Sequence, residues 1–271
     1  MREFKFCFHS ILYKHKWSTY FAYIWIAALV IVFFQFFGSN TTDKIGTIET
    51  SYFIMSPNSL LTEIILFSIP FISAVFIGDI HLEEKEFDQL LFIRGKKIKF
   101  AIAHIIISFI FSFLLCLCFL FIIFTLTYII TSQDIDMVNY SNYIYNNSNQ
   151  ISLLQALPYC SLYINHPILR IFIYIIFFSI YAGISGMIAD TMCLFFNKKI
   201  LIYISPFIIL MLLQILNSLF TSQWYLQVLI NPMIPIYGTV DIALRICIIT
   251  LFYIMICGLL YVVHHKLEAK S

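Results

Sequence analysis

Between Asp79 and Lys99 the chain crowds its charged side chains together: Asp79, Glu83, Glu84, Glu86 and Asp88 come first, then, after Lys85, the bases Arg94, Lys96, Lys97 and Lys99. Long apolar runs lie on both sides. Charge of that density cannot rest in hydrocarbon, so the segment belongs in water beside a membrane. Within it Ile80, Phe87, Leu90, Leu91 and Arg94 recur at helical spacing, which predicts one apolar stripe on a short acidic helix stopped by Gly95. Two uses suit such a helix. It can be a solvated loop whose bases touch lipid headgroups, at about 1 kcal/mol per basic residue. Or it can dock, with the stripe in a groove of another protein and the acids at the rim. Glu84 and Asp88 stand four apart and repel each other by a few tenths of a kcal/mol, a cost that a positive partner surface relieves.

Other chemistry is hard to find. No Gly-x-x-x-x-Gly-Lys-Ser/Thr occurs, and Gly95-Lys96 has no glycine loop before it, so the chain is not expected to bind ATP by a Walker motif. Glu83-Glu84 is the only paired glutamate, as in glutamate-type intramembrane proteases. Asp88 stands where that motif has Arg, the pair lies in an aqueous segment, and no later span is expected to bury a histidine. His-Glu-x-x-His is absent, which argues against zinc hydrolysis. The seven cysteines are scattered, and only Cys160 falls outside the expected membrane segments, so neither a disulfide framework nor a metal site is expected. Essentially no ionisable group is expected away from the span ends, which lowers the standing of a proton- or sodium-coupled carrier. Glu63 is read as reaching water near an outer end, and His104 as interfacial.

The elements around these residues follow from composition. With 61% hydrophobic, 18% aromatic and 11% charged residues in 271, the chain reads as an all-α polytopic membrane protein. Its net charge of +2 says nothing about partners, and nucleic acid is not suggested. Residues 1–19 carry Arg2, Lys5, Lys14 and Lys16 beside Phe4, Phe8, Ile11 and Leu12, the pattern of an amphipathic interfacial helix. Six spans are expected: about 20–37, 60–78 (containing Pro70, expected to kink it), 100–130, 167–189, 200–220 (with Pro206 near its start) and 242–263. His166-Pro167 opens the fourth, in which Gly183 and Gly186 permit close helix approach. A polar loop covers 131–166, a short turn 190–199, an uncharged 221–241 segment with Trp224, Tyr225 and Asn231-Pro232 reads as a re-entrant hairpin, and 264–271 is a tail. Asp241 and Arg245, four apart, are expected to pair.

All but three of the 16 lysines and arginines fall in the two termini, the 79–99 segment and the 190–199 turn; the three are Lys44, Arg170 and Arg245. The positive-inside rule then puts both termini in the cytoplasm.

The order of these features resembles the permease subunit of type-2 ABC transporters, a family of short six-span exporters. The resemblance rests on the amphipathic helix before the first span and on the acidic helix with Leu90-Leu91 leading through Arg94-Gly95-Lys96-Lys97 into the third. It rests also on the stretch from Gly186 to Leu194-Phe195-Phe196-Asn197-Lys198-Lys199 before the fifth span, and on Asn231-Pro232 before the last. The 131–166 loop departs from a minimal member by its length and polarity. The resemblance implies that two permeases, copies or homologues, pair around a shared path in a bacterial plasma membrane. Each would rest on a separate cytoplasmic ATPase that binds ATP and magnesium, leaving no cofactor or catalytic residue in this chain. Ile80, Glu83, Glu84, Glu86, Phe87, Asp88, Leu90, Leu91 and Arg94 would then form the coupling helix, with Asn197, Lys198 and Lys199 as a second contact. Glu63, Pro70, Trp224 and Tyr225 are candidates for an outer gate or cargo contact. The walls suit a hydrophobic or amphipathic peptide, or a lipid, exported at the expense of ATP. The alternatives are a membrane anchor that recruits a cytoplasmic partner and, less favoured, a secondary carrier.

Overall fold

The computed structural model describes residues 27–28, 30–31, 67–79, 97–131, 166–196, 198–219 and 242–268, and among these every regular element is α-helical. The helices are α1 (Phe67–Asp79), α2 (Lys97–Thr131), α3 (Pro167–Phe195), α4 (Lys199–Leu219) and α5 (Ile242–Glu268). Three of them contain runs long and apolar enough to cross a membrane: Ile102–Ile129 in α2, Ile168–Phe195 in α3 and Leu244–His264 in α5. A multi-pass membrane protein accounts for them, because a hydrocarbon core about 30 Å thick takes roughly 20 helical residues to span. The interfacial helix, most of the first span, the 132–165 stretch and the hairpin lie outside the described residues, as do Glu63, Trp224, Tyr225, Asn197 and the expected coupling helix from Ile80 to Arg94.

α3 is the hub. Its apolar window is 78% buried, against 44% for α2 and 22% for α5, and it packs against α2, α4 and α5. His166 precedes Pro167 at the first helical turn, where the missing proline N–H costs nothing. Hydroxyls inside the helices bond back to their own backbone. Thr127, Ser179, Ser185, Thr191 and Thr250 each donate to the carbonyl four residues earlier. These side chains thereby sit in apolar surroundings without an unmet donor.

α2 and α3 run antiparallel over nearly their whole length. Phe124 meets Phe172 at 5.2 Å between ring centroids, the Cys116 thiol lies 3.8 Å from the Phe178 carbonyl, and Ser112 faces Gly186. The close approach expected at Gly183 and Gly186 occurs at this crossing. A Cβ at Gly183 would come within 2.6 Å of the Phe109 ring, and one at Gly186 would collide with the Ser112 hydroxyl. α5 runs parallel to α3, with His264 edge-on to Phe195 at 5.3 Å. α1 is antiparallel to α4, stacking Phe71 on Phe207 at 4.7 Å and fitting Gly78 against Ile202 and Tyr203. Pro70 is buried within α1.

Two boundaries differ from the sequence reading. Residues 190–195 continue α3 as helix instead of forming a turn, and the break is confined to the residues around Phe196 and Lys198. Helix persists because Thr191 satisfies its hydroxyl on the Met187 carbonyl at 2.6 Å and Asp190 finds a partner inside the bundle, described next. The expected tail from His264 is helical as far as Glu268.

Candidate functional site

Two clusters lie at the end of the bundle where α1 and α3 finish and α2 and α4 begin. The first is within the protein. His104, two turns into α2, places Nδ1 2.9 Å from Oδ1 of Asp190, near the end of α3. The side chains are 2% and 0% exposed. The pair crowns a seam built at helical spacing. His104, Ser108 and Ser112 recur every four residues on α2, and Ala182, Gly186 and Asp190 every four on α3. All six are buried apart from the side-chain-free Gly186, whose backbone is buried too. The small residues let the two backbones approach, and that approach brings the two long side chains within hydrogen-bonding distance. From α5, Cys257 packs beside Thr191 and Asp190.

This cluster corrects the sequence reading on two points. His104 lies at the depth of an interface, about 17 Å along the helix from the midpoint of its apolar run, yet it is enclosed by protein and ion-paired. The spans also do bury ionisable groups: besides the pair, Arg170 is 0% and Arg245 7% exposed. The expectation that no later span buries a histidine therefore fails, although Asp88 still stands where the glutamate-protease motif has Arg. The missed signal was the matching four-residue periods of polar and small residues on two apolar runs.

The second cluster is at the rim. Asp79, the last residue of α1, accepts a hydrogen bond from the Tyr203 hydroxyl at 2.5 Å and lies 3.3 Å from the Lys199 ammonium. Asp79 is 26% and Lys199 64% exposed, so the tyrosine bond is the sheltered one. Asp79 opens the stretch expected to couple to a partner, and Lys198 and Lys199 belong to the second expected contact. Lys198 and Lys199 are both exposed. The two segments therefore leave the bundle side by side.

At the opposite end, Arg170 lies one turn into α3 with its guanidinium carbon 5.5 Å from the centre of the Tyr174 ring. Tyr174 is likewise buried, and the contact is a cation–π stack shielded from solvent.

No family model, curated protein or solved structure matches the chain. The reading therefore rests on the chain's own residues. Among the described residues no three His, Cys, Asp or Glu side chains converge as a metal site requires. Neither cluster contains a nucleophile paired with a base and an oxyanion hole. What the arrangement offers is a charged rim exposed to a partner and an enclosed acid–base pair between two spans.

Proposed function

We propose that the chain is the membrane-spanning permease subunit of an ATP-driven exporter of the type-2 ABC kind, worked by a separate cytoplasmic ATPase. The observation that carries this reading is the contact of Asp79 with Tyr203 and Lys199. A motor that grips the segment beginning at Ile80 pulls on the end of α1, and Asp79 conveys the pull to α4 through two bonds to one carboxylate. Motion of one helix pair relative to the α2–α3 pair is the kind of rigid-body change that alternating access needs. The three described spans fit six in the whole chain, with both termini on the motor's side. In this reading two permeases enclose a path for a hydrophobic or amphipathic cargo, a peptide before a lipid, in a bacterial plasma membrane.

Co-expression with the Walker-motif ATPase encoded beside it tests the reading. Phe87→Asp and Leu91→Asp, each of which puts a charge on the apolar stripe, abolish co-purification and cargo-stimulated ATP turnover while the permease still inserts. Unchanged co-purification with unchanged turnover refutes the proposal.

The buried His104–Asp190 pair favours one second reading, a secondary carrier driven by protons. Cargo movement in vesicles that contain this chain alone, driven by a pH gradient without ATP, would establish it in place of the first.

A further inference from the structure

We propose that the His104–Asp190 pair is a proton-binding site whose occupancy sets how tightly α2 and α3 are held together at their charged end. Both side chains are enclosed, with Nδ1 and Oδ1 2.9 Å apart. An imidazolium and a carboxylate at that distance neutralise each other, and the state with both ionised is the one a low-dielectric site tolerates. Adding one proton to the Asp190 carboxylate leaves a net charge of +1 in the seam. Removing one from His104 leaves −1. Either change strands an uncompensated charge between two apolar helices, and opening the seam to water is the relief available.

Packing alone does not require this pair. Gly183 and Gly186 already let α2 and α3 meet closely against Phe109 and Ser112, so apolar side chains at 104 and 190 would close the same crossing. A second, independent feature lies on the same seam. The Ser112 hydroxyl, two turns from His104, is fully buried and has no hydrogen-bond partner. A buried hydroxyl of that kind offers a station for a proton-carrying water. Other titratable groups face this end from each packed helix. They are Cys257 from α5 beside Asp190, His264 from α5 against Phe195, and the bonded Asp79 and Lys199 from α1 and α4. The pair is a coupled unit, so its two steps belong to both residues together.

The test uses the full chain in lipid nanodiscs without any ATPase, so its result is independent of the exporter reading. The thermal midpoint is followed against pH for the wild type, His104→Gln, Asp190→Asn and the double variant. The expected wild-type profile is highest where both groups are ionised and falls on either side. The acid fall comes from protonation of Asp190 and the alkaline fall from deprotonation of His104. Each single variant removes that shape, and the double variant matches the singles. Variants that lower the midpoint by one constant amount at every pH reveal a purely structural pair and overturn the proposal. Should the variants fail to fold, hydrogen exchange of the wild type decides. Protection of residues 104–112 and 183–190 must fall on both sides of the optimum, and constant protection overturns the proposal.

Discussion

The Ser205 hydroxyl donates at 2.8 Å to the Ile202 carbonyl, the acceptor left without its helical N–H by Pro206 four residues on. Proline removes that donor from the middle of α4, and in apolar surroundings an unmet carbonyl is expensive. The neighbouring serine supplies the replacement. Ser205→Ala is therefore expected to lower stability by about 1–3 kcal/mol. Pro206→Ala restores the backbone bond, so Ser205→Ala on that background should cost much less. A double-mutant cycle by thermal unfolding in nanodiscs measures the coupling, and additive effects would contradict this account.

Glycines at two places on the surface of the helices predict opposite outcomes. A methyl at Gly186 meets the Ser112 side chain and the Ser108 backbone carbonyl, whereas one at Gly258 meets nothing within 4 Å. Gly186→Ala should destabilise by about 1–3 kcal/mol through overpacking. Gly258→Ala should be neutral or stabilise by up to about 1 kcal/mol through helix propensity. Thermal midpoints of the two variants should move in different directions.

At the rim, the two partners of Asp79 are not equivalent. Lys199 is 64% exposed, so Lys199→Ala should change stability by less than about 1 kcal/mol. Tyr203→Phe deletes the sheltered hydrogen bond to a carboxylate and should cost about 1.5–3 kcal/mol. If the rim conveys the motor's pull, Tyr203→Phe also lowers the ATP turned over per cargo moved, while Lys199→Ala does not.

Replacing the enclosed acid and base by apolar groups separates the worth of the pair from the cost of breaking it. His104→Leu or Asp190→Leu alone leaves a buried charge and should destabilise by about 3–5 kcal/mol. The double replacement should recover most of that loss, because Gly183 and Gly186 hold the crossing without it. Chemical-denaturant titration of the three variants decides the matter, and an equal loss in all three would sink the idea.

Orientation can be read from Lys198, which lies exposed in the break between α3 and α4. Lys198→Cys should react with a membrane-impermeant thiol reagent from the cytoplasmic side alone. Native Cys118 and Cys247 are exposed on the apolar surfaces of α2 and α5, where hydrocarbon excludes that reagent. Labelling of the new thiol from outside intact cells would invert the topology.

Composition and run length were enough to establish helices that cross a membrane, because hydrocarbon tolerates no unpaired backbone and so leaves few choices for an apolar run of about 20 residues. His166-Pro167 marked the start of α3 correctly, since proline suits a first helical turn. Gly183 and Gly186 marked a close crossing, since only small residues allow one. The end of α3 was not legible. Asp190 reads as the first residue of an aqueous turn when its sequence neighbours alone are considered, because a lone carboxylate is not stable in an apolar span. Its fate depended on His104, 86 residues away. Only the antiparallel register of α2 and α3 brings that imidazole to the carboxylate, and with it the helix continues for another turn and a half. The same holds for Asp79, whose partners Tyr203 and Lys199 sit on a helix more than 100 residues later. Local pattern determines which segments are buried, since solvation is a property of each residue and its near neighbours. Which charges may accompany them is decided by tertiary packing, because a buried charge needs its counter-charge within hydrogen-bonding distance.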